Sequence, residues 1–161
     1  MTVKEYNQSV ELYADRVYRF IVKNMKNGDD AQDVVQNAFE IMWKNHEEVS
    51  FEKSRSYLFT VAYHNMIDQF RKRKGDSDIS DEQLQMQGSS YQFTGAREAI
   101  ELGLRKLPEI QKTVVMLRDY EGYTYEEIGG ITGLNEAQVK VYIFRARTTL
   151  KDFLVSAENA L

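Results

Sequence analysis

Apolar side chains recur every three or four residues along the first 74 positions, which is the spacing of one face of an α-helix. The pattern predicts three helices, over residues 5–26, about 30–44 and 54–74, with a polar connector before the third. We expect the three apolar faces to meet in the core of one small domain. The residues expected to end or cap these helices are Asn27-Gly28, Asp29 or Asp30, and Ser54 or Ser56.

From residue 96 onward the helical period returns. A short helix is expected over about 96–107, and Pro108 suits the first turn of the next, which Glu121-Gly122 stops. Two capping boxes follow in succession, and each predicts the start of a helix. No strand pattern is found in either half. The capping boxes are Thr124-x-x-Glu127 and Asn135-x-x-Gln138, and the last helix is expected to bury Val139, Ile143, Ala146 and Leu150.

The spacing of small and apolar residues in Tyr125–Tyr142 (YEEIGGITGLNEAQVKVY) predicts a helix-turn-helix. This motif needs a tiny residue where the helices cross, a glycine in the turn and a branched apolar residue early in the second helix. Gly129, Gly133 and Val139 meet these needs at positions 5, 9 and 15 counted from Tyr125. An ordinary helix–glycine–helix hairpin of a bundle is the alternative, and two successive capping boxes disfavour it.

The segment between the halves, residues 75–95 (GDSDISDEQLQMQGSSYQFTG), is polar and acidic and has no sustained period. Such composition is typical of a flexible linker. The sequence therefore predicts an all-α fold of two small helical domains, residues 1–74 and 96–161, joined by this linker. The C-terminal domain is expected to be the helix-turn-helix.

The second helix of the motif presents a basic and partly apolar face. Lys140, Arg145 and Arg147 are placed to meet phosphates, and residues near the helix start can reach base edges in the major groove. The alternative is a basic face that contacts only solvent, although such a face would not be expected to carry outward aromatic and branched side chains. The residues expected at this DNA interface are Asn135, Glu136, Gln138, Lys140, Val141, Tyr142, Phe144, Arg145 and Arg147.

Charge is unevenly distributed along the chain. Taken over the whole chain, the net charge of −4 argues against nucleic-acid binding. Residues 53–74, however, hold six basic side chains and only one acidic one. The run Arg71-Lys72-Arg73-Lys74 is either a phosphate clamp or a set of cations that the C-terminal dipole of the helix tolerates. Aromatic residues upstream, such as Phe51 and Tyr57, are candidates for stacking on unpaired bases.

The chain has 161 residues, with no cysteine and two histidines, and this composition restricts the chemistry that it can perform. Disulfides, thiol nucleophiles and cysteine zinc sites are excluded, and His64 with Asp68 makes only half of a metal site. No glycine-rich phosphate loop or nucleophile–base pair is found, so we expect a protein that is not an enzyme and needs no cofactor or metal. No apolar run reaches the roughly 18 residues of a membrane span, and we expect a cytoplasmic protein.

Three ordered blocks resemble the extracytoplasmic-function (ECF) class of bacterial sigma factors, the smallest of the sigma-70-like family. DDAQDVVQNAFEIMW is similar to the helix that binds core polymerase, and SYLFTVAYHNMIDQFRKRK to the promoter-melting helix. LPEIQKTVVMLRDYEGYTYEEIGGITGLNEAQVKVYIFRARTTL is similar to the helix-turn-helix that binds the −35 element. The resemblance implies a factor that binds the two largest subunits of core RNA polymerase, directs it to promoter DNA, and is inhibited by an anti-sigma factor.

The resemblance also implies roles for individual residues. The linker would thread towards the polymerase channels, Leu117 would face the flap of the second-largest subunit, and the DNA interface of the last helix would bind the −35 element. Tyr63-His64, Gly129-Gly130 and Val141-Tyr142 depart from the residues common in the family at those places. Polymerase binding is assigned to Asp33, Gln36, Asn37, Glu40 and Trp43, and binding or melting of the −10 element to Phe51, Ser54, Arg55, Tyr57, Tyr63, His64, Arg71, Lys72 and Arg73.

Two other functions remain open on the sequence. The first is a dimeric helix-turn-helix transcriptional regulator, whose N-terminal domain senses a ligand or dimerises and whose operator has two-fold symmetry. The second is an adaptor that uses the same faces for protein partners and binds no DNA.

Overall fold

The computed structural model describes residues 1–74 and 95–160. Within these ranges there are seven α-helices and no β-strand, which confirms the predicted all-α fold. The predicted linker lies outside the described residues, apart from Gly95, which precedes the fourth helix. The helices are α1 (Val3–Met25), α2 (Gly28–Lys44), α3 (Ser54–Lys74), α4 (Ala96–Lys106), α5 (Glu109–Val115), α6 (Tyr125–Thr132) and α7 (Glu136–Ala160).

The N-terminal unit consists of α1, α2 and α3, which pack against one another around a shared apolar core. The rings of Phe20 in α1 and Phe59 in α3 meet edge to face, with centroids 5.4 Å apart. Burial of these side chains removes apolar surface from water and is the main stabilising contribution to the unit. The other fully buried large side chains of this core are Val17, Ile21, Val34, Met42, Leu58 and Met66.

The junction between α1 and α2 differs from the prediction. Lys26 takes the left-handed conformation (φ 62°) that ends α1, and Gly28 is already the first residue of α2. Asn27 caps α2, because its Oδ1 accepts hydrogen bonds from the backbone N–H groups of Asp29 (3.0 Å) and Asp30 (3.2 Å). The prediction of an aspartate cap was therefore wrong, and both aspartates lie in the first turn, where their charge meets the positive end of the helix dipole.

A short 3₁₀ turn, Phe51–Lys53, leads directly into α3. Ser54 is the first residue of α3, and its hydroxyl donates to the carbonyl of Phe51 (2.6 Å). α3 thus begins at Ser54, one of the two expected serines, and the Ser54 hydroxyl is hydrogen-bonded to the preceding 3₁₀ turn.

The C-terminal unit consists of α4 to α7, with α4 and α5 packed on the long helix α7. The chain approaches α7 closely at Gly103, where a Cβ atom would lie 2.8 Å from Cδ2 of Leu150. After α5 the chain continues into a π-helical turn, Met116–Tyr120, before reaching α6. Fully buried side chains of this unit include Val114, Leu117, Ile128, Val139, Ile143 and Ala146.

Among the described helices, none combines the length and the apolarity that crossing a membrane requires.

Candidate functional site

Helices α6 and α7 form the predicted helix-turn-helix, and its three key positions have the expected structural roles. Gly133 lies in the turn with φ +84°, a conformation that glycine adopts without strain. At Gly129 a Cβ atom would lie only 2.7 Å from the carbonyl oxygen of Leu134, so a hydrogen atom is all the space allows. Val139 is fully buried beneath the turn. The helix-turn-helix prediction is confirmed.

Both capping boxes are formed. Thr124 Oγ1 accepts from the N–H of Glu127 (3.1 Å), and Glu127 Oε1 accepts from the N–H of Thr124 (2.9 Å). Asn135 Oδ1 and Gln138 Oε1 make the equivalent reciprocal pair, at 2.8 and 3.0 Å. The two amide oxygens are therefore engaged in starting α7, and only the amide NH₂ groups of Asn135 and Gln138 are left to donate to DNA.

The face of α7 that the sequence assigned to DNA is exposed. Phe144 is 72% exposed and Val141 is 44% exposed, so two large apolar side chains lie one turn apart on this exposed face. Tyr142 is half-buried, and Val139, Ile143 and Ala146 lie on the buried side of the helix. The charged members of the exposed set are Glu136, Lys140, Arg145 and Arg147.

Two cations of this face have carboxylate partners in the free chain. Arg147 makes a bidentate pair with Asp119 of the π-helical turn, with Nη2–Oδ1 at 2.5 Å and Nε–Oδ2 at 3.1 Å. The hydrogen bond to Asp119 raises the pKa of the Arg147 guanidinium above its ordinary value. Lys140 Nζ lies 3.5 Å from Oε1 of Glu136, one turn away. The sequence did not indicate the first pair, because its members are 28 residues apart.

Aromatic rings lie beside the same cations. The guanidinium carbon of Arg118 lies 4.9 Å from the ring centroid of Tyr125, and Lys140 Nζ lies 5.7 Å from that centroid. Cζ of Arg145 lies 6.0 Å from the ring centroid of Tyr142. These separations are within the range of cation–π attraction. Neither Arg118 nor Tyr125 was expected at this site, and the one signal for Tyr125 was that it begins the first helix of the helix-turn-helix.

The residues assigned to the −10 element divide by burial. Ser54 is fully buried and Tyr63 is 6% exposed, because both lie on the side of α3 that faces the core. Neither side chain can reach DNA in this conformation, so these two assignments were wrong. Phe51, Arg55 and Tyr57 are half-buried, and His64, Arg71, Lys72 and Arg73 are exposed.

Two of the accessible residues have partners within the N-terminal unit. The Tyr57 hydroxyl accepts a hydrogen bond from Asn45 Nδ2 (3.1 Å), which ties α3 to the end of α2. Arg73 forms an ion pair with Asp30, so the basic end of α3 lies against the start of α2. Binding of a phosphate at Arg73 therefore competes with an aspartate.

The polymerase-binding residues expected on α2 form one exposed face. Asp33, Gln36, Asn37 and Glu40 are all exposed, and Asn37 Oδ1 accepts a hydrogen bond from Asn65 of α3 (2.6 Å). Trp43, at the end of the same face, is 41% exposed. An exposed tryptophan at the edge of an acidic and amide-rich face is typical of a protein-docking surface.

Trp43 is held by two neighbours. Its indole stacks on the imidazole of His46, with centroids 4.3 Å apart and planes at 10°, and the ring of Tyr6 meets it at 62°. The Tyr6 hydroxyl donates to the carbonyl of Phe39 (2.9 Å), and burial followed by the Glu40 charge raises the pKa of this phenol. An open groove of about 430 Å³ lies here, lined by Val3, Tyr6, Asn7, Glu40, Trp43 and Lys44.

Two further expectations concern single sites. Leu117 was expected, with its neighbours, to face a polymerase subunit; Leu117 itself is fully buried in the C-terminal core and cannot do so, whereas its neighbour Tyr120 is exposed. Within the described ranges no group of three histidine, aspartate or glutamate side chains is placed to hold a metal ion, and His64 with Asp68 gains no further ligand.

Two family models match the chain. Residues 10–75 match sigma-70 region 2, and residues 97–150 match sigma-70, region 4. Together these matches include α2, α3, the helix-turn-helix and the exposed face of α7.

Curated relatives match over most of their length. The ECF RNA polymerase sigma factor SigM of Bacillus subtilis is 29% identical over 157 residues, which is 94% of this chain and 94% of the relative. The RNA polymerase sigma factor SigV of the same organism is 32% identical over 134 residues, 80% of this chain and 78% of the relative.

Solved structures share the fold. The sigma factor RpoE from Bartonella quintana, solved with the anti-sigma factor NepR, matches with a TM-score of 0.77 at 22% identity, over 94% of this chain and 98% of that chain. CnrH, solved with the cytosolic domain of CnrY, matches with a TM-score of 0.66 at 22% identity, over 94% of this chain and 88% of that chain.

Proposed function

The chain belongs to the sigma-70 family of RNA polymerase sigma factors, in its extracytoplasmic-function class, and we propose which part of it performs each step of transcription initiation. As an ECF sigma factor it binds core RNA polymerase and directs promoter recognition. Residues 1–74 are the region-2 domain, which binds polymerase and the −10 element, and residues 96–161 are the region-4 domain, which binds the −35 element. Residues 75–95 join them.

The exposed face of α2 binds the largest subunit of the polymerase. Asp33 and Glu40 give this face negative charge, and Trp43 offers an apolar anchor beside them. A partner surface that combines basic and apolar side chains would complement this face. Glu40→Lys should therefore weaken assembly with the core, whereas Glu11→Lys, which reverses an exposed charge on α1, should not.

The accessible part of the α3 region opens the −10 element. Phe51 and Tyr57 are partly exposed rings that can stack on unpaired bases, at about 1–3 kcal/mol per base. Arg71, Lys72 and Arg73 hold the backbone at the exposed end of α3. Stacking offsets part of the cost of unpairing, and no nucleotide hydrolysis is required.

The exposed face of α7 binds the −35 element in the major groove. Lys140 and Arg145 contact phosphates or guanine edges, and Val141 and Phe144 offer only carbon and hydrogen, which fits the C5-methyl group of thymine. The observation that carries the proposal is this face: basic and apolar side chains exposed together on the second helix of a helix-turn-helix.

Neither unit should bind DNA tightly alone, because each has few exposed cations and the chain is acidic overall. Core polymerase holds both units on one promoter and so raises their effective concentration on DNA. We place this work in the cytoplasm, with the polymerase. The chain itself performs no chemical step.

An anti-sigma factor, of the kind present in the similar Bartonella quintana complex, would inhibit this chain. The groove beside Trp43 and the acidic face of α2 are exposed in the free chain, and a partner that covered them would block assembly with the core.

Promoter-specific run-off transcription with purified core polymerase tests the proposal. We expect new transcripts from selected promoters when the chain is added, and their loss when both Lys140 and Arg145 are changed to glutamate. Arg97→Glu combined with Arg105→Glu also reverses two exposed charges of the C-terminal unit, but on α4 and outside that face, and is the matched control. A chain that added no transcripts to those of core alone, and that bound a two-fold symmetric operator as a dimer, would instead be the alternative regulator.

A further inference from the structure

Tyr125 lies where three elements of the C-terminal unit meet, although no base-reading role was expected of it. It is the first residue of α6, and it is half-buried. Arg118 reaches it from the π-helical turn, and Lys140 reaches it from α7. Two elements that are separate in sequence therefore place charged groups beside a ring that a third element carries.

Two cations lie over the ring of Tyr125. Arg118 Cζ lies 4.9 Å from the Tyr125 centroid and Lys140 Nζ lies 5.7 Å from it. The face of an aromatic ring carries partial negative charge, so it attracts both groups and offsets part of their mutual repulsion. A hydrogen bond also restrains Arg118, because its Nη1 donates to the carbonyl of Tyr123 (2.9 Å).

A third cation, Arg147, is held next to this pair by a carboxylate. Its bidentate pair with Asp119 raises the pKa of the Arg147 guanidinium. Asp119 lies next to Arg118 in the π-helical turn. Tyr125 therefore holds two of these cations, and Asp119 holds the third.

We propose that Tyr125 is a positioning residue for promoter binding: its ring holds Arg118 and Lys140 as one phosphate-binding surface and reads no base itself. This inference rests on the proposed role of α7 at the −35 element. The ligand is the sugar–phosphate backbone, which is the same in every sequence, so the surface contributes affinity without selecting a promoter.

The sharpest test reverses the charge distribution of the ring and keeps its shape. Pentafluorophenylalanine in place of Tyr125 in the full chain removes the attraction for cations without leaving a cavity, and Tyr125→Phe is its matched control. Fluorescence anisotropy with a labelled random-sequence duplex, at several salt concentrations, gives the slope of log K against log salt. Each lost phosphate contact reduces the magnitude of that slope by about 0.9.

We expect Tyr125→Phe to keep most of the wild-type slope and the fluorinated variant to lose about one to two in its magnitude. Thermal unfolding of both variants checks that the fold is intact. A fluorinated variant with the slope of Tyr125→Phe would overturn the positioning role, and so would a Tyr125→Phe variant as defective as the fluorinated one. A wild-type chain with no salt-dependent DNA binding would overturn the −35 role as well, so the two failures are distinguishable.

Discussion

Two adjacent glycines in α6 provide the sharpest test of the helix-turn-helix packing. Gly129 and Gly130 lie in the same helix, and alanine at either one should gain about 1 kcal/mol of helix propensity. Their surroundings differ. A Cβ atom at Gly129 would lie 2.7 Å from the backbone oxygen of Leu134, whereas a Cβ atom at Gly130 would meet nothing within 4 Å.

The magnitudes follow from these distances. Gly130→Ala should stabilise the C-terminal unit by up to about 1 kcal/mol, because the methyl group enters open space. Gly129→Ala gains the same propensity, but a backbone oxygen must move, and such overpacking costs about 1–3 kcal/mol. Since the propensity gain cancels in the comparison, the two variants should differ by about 1–3 kcal/mol.

Hydrogen exchange of the backbone amides in α6 and α7 measures this difference locally. The protein has a single tryptophan, Trp43, in the N-terminal unit, so its fluorescence during urea unfolding is an internal control that neither substitution should shift. Equal changes in protection for the two variants would refute the reasoning, as would Gly129→Ala being the more stable of the two. Either result would mean that the close approach to Leu134 does not constrain the turn.

Four further outcomes are expected. Gly133→Ala should cost about 1–2 kcal/mol by the same exchange measurement, because φ is +84°, and Gly133→Asn should cost less. Asp119→Asn should lower thermal stability by less than about 1 kcal/mol, since its ion pair is half exposed. The pKa of Glu5 is lowered, chiefly by a hydrogen bond from a backbone N–H, so its stabilisation of α1 is present above the unfolded pKa and is lost as pH falls through the folded value. Glu5→Gln should weaken that acid dependence of circular dichroism. Alanine at Phe51 or Tyr57 should slow open-complex formation by roughly 5- to 150-fold per lost stack, with a smaller effect on initial binding, and equal losses in both steps would contradict the stacking role.

The features that could be predicted from the sequence are those with local causes. The capping boxes that open α6 and α7 are each contained within four residues, and the helix-turn-helix spacing is contained within 18. A local signal also explains the error at Asn27, because an asparagine and two aspartates in four residues are all capable caps and the structure uses the first. The exposed face of α7 follows from the same short-range periodicity.

The features that could not be predicted depend on residues far apart in the chain. The apolar spacing of α3 places Tyr63 on the stripe that faces the core, whereas its assignment to the −10 element came from the family resemblance, which gives no information about burial. The pairing of Asp119 with Arg147 depends on the π-helical turn, and the local sequence has no feature that distinguishes such a turn from the end of an α-helix. The cluster around Tyr125 depends on the same turn, because the turn carries Arg118.

If this chain recognises promoters as part of the polymerase, DNA binding by the chain should depend on the core enzyme. Anisotropy of a labelled promoter duplex is compared for the chain alone, core polymerase alone and the two together at physiological salt. We expect tight, sequence-specific binding only for the mixture, and weak, strongly salt-dependent binding for the chain alone. Equally tight and specific binding by the chain alone would contradict this expectation.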